Sequence, residues 1–252
     1  MTPLFVGNWK LHKTPEEAAK TAYELKDLLS ISLLEQADVA VAPPFIDIPA
    51  VAGVLDLSKI GIAAQNVFWE NQGAYTGEIS PRMLKSAGCS YVIIGHSERR
   101  QYFGETDDIV VRKVAAVVEE ELTPILCVGE TEDERMAEKT FLVLDKQLVN
   151  GLKGLRPADI SNLVVAYEPV WAIGTGKTAT RQQAEEVHVF LRNRLTEIVD
   201  SQFADTIRIL YGGSVTPENI RELMNMPNIN GALVGGASLT ASSFSDIIRE
   251  GV

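Results

Sequence analysis

Four polar residues in the 252-residue chain follow directly on apolar runs, where a side chain can meet a ligand instead of bulk water. Glu168 ends the run Leu163 to Tyr167 and precedes Pro169, whose φ is fixed, which leaves a carboxylate at the edge of a hydrophobic wall. His96 follows Tyr91 to Gly95 and stands two residues before Glu98, where an imidazole presents a ring nitrogen to a ligand. Asn8 and Lys10, in Asn8-Trp9-Lys10, add an amide and an ammonium after the first run. A carboxylate and an imidazole can move protons, and an ammonium can offset a developing negative charge. Each also has a plain reading, Glu168 and Lys10 as solvated strand ends and His96 as a structural histidine.

Two glycine pairs suggest what such a ligand carries. Gly212-Gly213-Ser214-Val215 and Gly235-Gly236-Ala237-Ser238 each follow an apolar run, and backbone N–H groups exposed in such turns bind phosphate. After Glu168, the stretch Val170-Trp171-Ala172-Ile173-Gly174-Thr175-Gly176-Lys177-Thr178 is too apolar for a passive connector and is expected to close over a ligand and exclude water. Its Gly176-Lys177-Thr178 imitates the end of a nucleotide-binding P-loop, but the first glycine of that motif belongs at position 171, which is Trp171. His12, His96 and His188 lack metal-ligand spacing and no G-x-G-x-x-G turn occurs, so neither a metal nor a redox cofactor is expected.

The elements that must position these groups are legible as an alternation. Strands are predicted at Leu4 to Gly7, Asp38 to Ala42, Gly61 to Ala64, Tyr91 to Gly95, Pro124 to Gly129, Leu163 to Tyr167, Ile207 to Tyr211 and Ala232 to Gly235. Their apolar residues are mostly continuous, the pattern of parallel strands covered on both faces. Helix starts are predicted at Thr14-Pro15, Ser80-Pro81, Thr131, Thr180 and Thr216-Pro217 from capping residues and first-turn prolines. Eight β-then-α units at roughly 31 residues each match the size of a right-handed crossover unit, with no linker to divide residues 1–252 into more than one domain. The alternation fits a single-domain α/β fold, and the pattern favours a (β/α)8 barrel over an open doubly wound sheet. In both architectures ligands bind at the C-terminal strand ends, where Asn8, Lys10, His96, Glu168 and the glycine turns lie.

With 23 basic against 34 acidic residues, the net charge of -11 opposes long-range attraction to nucleic acid or an anionic membrane, so an anionic ligand must be captured locally. Cys89 and Cys127 stand in or beside apolar stretches without a C-x-x-C pairing, which fits a reducing compartment. Met1 to Lys13 shows no basic leader followed by an apolar stretch, and no apolar run approaches membrane-spanning length, so a cytoplasmic protein is expected.

Taken in order, Gly7-Asn8-Trp9-Lys10, Ile94-Gly95-His96-Ser97-Glu98-Arg99-Arg100, Ala166-Tyr167-Glu168-Pro169 through Gly176, Tyr211-Gly212-Gly213-Ser214-Val215 and Val234-Gly235-Gly236-Ala237-Ser238 closely resemble the triosephosphate isomerases. The resemblance spans essentially the whole chain. It implies a TIM barrel and a cofactor-free intramolecular aldose–ketose isomerase of glycolysis and gluconeogenesis, converting dihydroxyacetone phosphate and glyceraldehyde 3-phosphate through an enediolate. By the same resemblance Glu168 is the catalytic base and His96 the electrophile, Asn8 and Lys10 contact substrate, and Glu98 supports the site. Gly174, Ser214, Gly235 and Gly236 would meet the phosphate. A homodimer is implied, with Gln65 to Ser80 projecting into the partner. The rival reading from the residues is a phosphate-binding barrel isomerase of a larger sugar phosphate.

Overall fold

The structure, a computed structural model, describes residues 1–172, 178–198 and 201–252. Eight strands pair in chain order and all in parallel: β1 Leu4–Asn8, β2 Asp38–Ala42, β3 Ile60–Ala64, β4 Tyr91–Ile94, β5 Thr123–Val128, β6 Val164–Tyr167, β7 Arg208–Tyr211 and β8 Gly231–Val234. β1 also pairs with β8, with Leu4 opposite Gly231, so the sheet has no edge and the architecture is a (β/α)8 TIM barrel.

The continuous apolar strands are explained by two cores that share one wall. Leu4, Val6, Ala40, Ala42, Ile93, Ile125, Ala166, Leu210 and Leu233 point into the barrel and fill it. The alternating residues Phe5, Val39, Val41, Val92, Leu126, Val165 and Ile209 point outward against the helices. Successive side chains face opposite sides of a strand, so a strand buried on both sides shows no polar alternation.

Helix entry follows the predicted capping chemistry at four places. Thr14 and Thr131 form capping boxes with Glu17 and Glu134 at the starts of Pro15–Leu28 and Glu132–Met136, and Ser80 caps Pro81–Ser86. Thr180 and Gln183 exchange bonds at the start of Arg181–Ile198. The fifth start moves: the helix is Ile220–Met224, because Thr216 N–H donates to the Asn219 side chain and closes a turn first. Gly95, Gly129 and Gly235 also fall outside the strands predicted to contain them, each beginning the turn that carries the site.

His188, on Arg181–Ile198, is wholly buried behind β6 and β7, edge-on to Tyr167 at 5.8 Å between ring centroids. Burial pushes its pKa down to about 4, from 6.5 in the unfolded chain. Between these values the unfolded chain binds the proton and the fold does not, so the contribution is intact above pH 6.5 and is lost as pH falls towards 4. The full loss is about 3 kcal/mol. Urea titrations at about pH 7 and about pH 4.5 should show a markedly smaller loss in His188→Leu than in wild type; equal losses would remove His188 as the source.

Candidate active site

The C-terminal strand ends surround a cavity of about 430 Å³ lined by Asn8, Lys10, His96, Glu168 and the turns Gly212–Thr216 and Gly235–Ala237. Seven of the predicted site residues are thereby brought together: Asn8, Lys10, His96, Glu168, Ser214, Gly235 and Gly236. Glu98 stands beside them, its Oε1 2.6 Å from Lys10 Nζ. Gly174, and the part of the predicted lid at 173–177, lie outside the described residues.

β1 delivers Asn8 and Lys10 through a turn in which Lys10 takes φ +52°. That conformation costs a non-glycine residue roughly 1–2 kcal/mol and persists only when its surroundings hold it. Lys10 N–H donates to Asn8 Oδ1 at 3.0 Å, and Gln65 Nε2 donates to Lys10 O at 2.9 Å and to Ala42 O at 2.8 Å. Gln65 thus pins the turn from the end of β3, a role that its place in a loop segment does not suggest.

β4 delivers His96 through Gly95, whose φ of +72° suits glycine. Gly95 N–H donates to Glu105 Oε1 at 2.9 Å, while Glu105 Oε2 accepts from Lys113 Nζ at 2.6 Å and Arg99 Nε at 2.7 Å. Lys113 Nζ also donates to Asn66 Oδ1 at 2.7 Å. Glu105 and Lys113 are both buried, and these cations hold the Glu105 carboxyl below its ordinary range against the opposing effect of burial. Nothing local in the sequence marks this network. Its members become partners only when the loops after β3 and β4 meet the helix Asp107–Glu119.

The tautomer of His96 is set by a fixed donor. Glu98 N–H donates to His96 Nδ1 at 3.3 Å, so Nδ1 accepts and the proton of the neutral ring is assigned to Nε2. Nε2 lies 3.0 Å from Glu168 Oε1 and donates to it. Asn8 Nδ2, 3.3 Å from Nε2, is a second donor beside the first, so both are available to oxygens of a ligand in the cavity.

β6 delivers Glu168, which is almost wholly buried. Its Oε2 accepts from Ser97 N–H at 3.0 Å and its Oε1 from Ser97 Oγ at 3.1 Å, so the carboxylate rests against the turn after β4. Gly129 permits this placement, because a Cβ there would stand 1.8 Å from Glu168 O. Glu130 anchors the chain on both sides of Glu168: its Oε1 accepts from Tyr167 Oη at 3.1 Å, Trp171 Nε1 at 2.9 Å and Arg135 Nη1 at 3.0 Å. The Gly129-Glu130 pair after β5 repeats the form of Gly95-His96 after β4, a signal in the sequence that could single Glu130 out.

Among the described residues no group of three His, Cys, Asp or Glu side chains is placed to hold a metal ion, and no helix is long and apolar enough to cross a membrane. Cys89 and Cys127 are buried and unpaired, and burial pushes the Cys89 thiol up to about 12.

A closed parallel barrel with acid–base groups and glycine turns at its C-terminal mouth defines a (β/α)8-barrel enzyme for a small anionic ligand. The family model for triosephosphate isomerase matches residues 3–251. Over 248 residues, covering 98% of each chain, the sequence is 55% identical to the triosephosphate isomerase of Pelobacter propionicus and 55% identical to that of Geobacter metallireducens. It is 52% identical over 247 residues to that of Thermoanaerobacter sp., again covering 98% of both chains. The chain belongs to the triosephosphate isomerase family. It is an aldose–ketose isomerase that interconverts dihydroxyacetone phosphate and D-glyceraldehyde 3-phosphate.

Proposed function

We propose that Glu168 moves the proton in this reaction while His96, Lys10 and Asn8 hold the substrate oxygens. The observation that carries this reading is the 3.0 Å approach of Glu168 Oε1 to His96 Nε2 in a cavity shared with Lys10 and both glycine turns. In this resting arrangement the carboxylate is quenched by Ser97 and His96. Rotation off Ser97 sheds those donors and turns the carboxylate towards the substrate carbon beside the carbonyl. It takes the proton there, and the C–H electron pair becomes the C=C bond of the enediolate as the carbonyl π pair moves onto its oxygen. A proton passes from the hydroxyl oxygen to that oxygen, and the carbon-bound proton returns to the neighbouring carbon as the new carbonyl forms. Negative charge on the oxygens is met by the Nε2–H of neutral His96, the Lys10 ammonium and the Asn8 amide, all oriented before the reaction begins. Glu98 holds the ammonium in place.

The phosphate does not react. Ser214, Gly235 and Gly236 grip it at the ends of β7 and β8, with Gly174 assigned to the same ligand, and this remote binding fixes the reacting carbons against Glu168. A coupled assay supplying glyceraldehyde 3-phosphate, with glycerol-phosphate dehydrogenase and NADH, tests the activity; no NADH oxidation would sink it.

Residues 1–252 act as one domain, in the cytoplasm, as a homodimer built on Gln65 to Ser80. Within that segment Phe68 stacks on Trp69 at 4.1 Å and packs on Tyr75 at 4.6 Å, while residues 70–78 are exposed. Leu11, Ile46 and Met83 are exposed nearby in sequence to β1, β2 and this segment, an apolar set suited to burial by a second copy. Sedimentation at micromolar concentration should return a dimer; a monomer there would remove the interface role.

A further inference from the structure

Between the turn that carries Lys10 and the helix Pro15–Leu28 stands a lysine with no assigned task. Lys13 takes φ +81°, a conformation that L side chains rarely adopt. Its ammonium lies 5.4 Å from the centroid of the Trp9 ring, and Nζ donates to Leu239 O at 2.8 Å. Leu239 directly follows the turn Gly236–Ser238 at the end of β8. One side chain therefore spans from the turn bearing Lys10 to the turn bearing Gly235 and Gly236, two parts of the cavity wall that are 226 residues apart in the chain at this contact.

A second, independent observation lies behind it. Asp47 is fully buried, and neither of its carboxylate oxygens has a hydrogen bond among the described residues. Trp9 Nε1, also buried, has none either. An anion excluded from water and without a donor is costly unless an opposite charge lies nearby or it takes up a proton. The charges acting on Asp47 are Glu17, which repels it, and Lys13, which is the attractive one. Burial pushes Asp47 up and Lys13 down, and the shift of Lys13 is opposed by Glu17, then Glu24, then Asp47.

We propose that Lys13 is a positioning residue, a strap whose ammonium ties the Lys10 turn to the phosphate-gripping turn after β8, with buried Asp47 one of the anions that favour its charge. The inference rests on the reading that Gly235 and Gly236 hold the phosphate. Removing the strap lets the two turns move relative to each other, which weakens the phosphate grip more than it slows chemistry.

Two variants separate this from a merely structural role. Lys13→Met keeps the backbone strain and the apolar contact with Trp9 and deletes the charge together with the hydrogen bond to Leu239 O. Lys13→Gly relieves the positive φ, so its melting temperature is expected to equal or exceed that of Lys13→Met. Both should raise KM for glyceraldehyde 3-phosphate and the inhibition constant of inorganic phosphate by roughly 5- to 20-fold, with kcat changed less than about threefold. Lys13→Arg should recover most of the affinity, and Asp47→Asn should weaken it in wild type but add nothing to Lys13→Met. KM and phosphate inhibition within about twofold of wild type in both folded Lys13 variants would overturn the strap. Gly236→Ala is the control, because its Cβ meets no protein atom within 4 Å and so reports on ligand alone. Weaker phosphate inhibition in Gly236→Ala with unchanged Lys13 variants overturns the strap only. Unchanged inhibition in Gly236→Ala removes the phosphate reading, and the strap with it.

Discussion

Replacing Glu168 by Asp is expected to lower kcat by about 10²-fold or more while KM stays within about threefold. The substitution keeps the charge and removes one methylene, which withdraws the carboxylate by about 1 Å from the carbon whose proton it takes. The proposed grip on the phosphate is left unchanged, since Ser214, Gly235 and Gly236 stand at the ends of β7 and β8 and Glu168 at the end of β6. Burial sharpens the expectation, because a carboxylate packed beside Gly129 and Gly212 has little room to compensate by moving its backbone. Steady-state kinetics in both directions measures it, and near-normal turnover would eliminate Glu168 as the base.

Replacing Lys10 by Met is expected to lower kcat/KM on the order of 10³-fold, through KM as well as kcat. In the proposed arrangement the lysine differs from Glu168 in acting on charge at both ends of the substrate. Its ammonium faces the cavity beside His96 and Asn8, and it is also the partner of Glu98 at 2.6 Å. Deleting it removes a cation from an anionic ligand and leaves the Glu98 carboxylate uncompensated at the mouth of the site, where it repels the phosphate. Glu98→Gln in the Lys10→Met background should therefore lower KM again without restoring kcat. If the double variant has the same KM as Lys10→Met, the repulsion is not the cause.

The helix starts at Thr14, Ser80, Thr131 and Thr180 are legible in the sequence because a cap is made of residues three apart and needs no distant partner. The start at Thr216 is misplaced for a related reason: Asn219 competes for the Thr216 N–H, and which local bond wins depends on what the turn packs against. The glycines at 95, 129 and 235 read as strand ends because they continue apolar runs, whereas each begins a turn. At Gly95 the reason is a positive φ, and at Gly129 the close approach of the Glu168 carbonyl.

What the sequence by itself determined is the set of strands, their burial on both faces and the chemical groups placed at their C-terminal ends. All of these depend on residue order over a few positions, through side-chain alternation and the abrupt change from apolar to polar. What only the tertiary structure decided is everything that joins distant positions. Closure rests on β1 pairing with β8, Leu4 to Gly231, which no periodicity specifies. The resting place of Glu168 on Ser97 spans 71 residues, and the ion pair of Lys10 with Glu98 spans 88. Gln65, Glu105 and Lys113 support the site through partners brought together by the barrel. Their hydrogen bonds and charges are strong only where water is excluded, and that exclusion is a property of the folded barrel and not of any local stretch of chain.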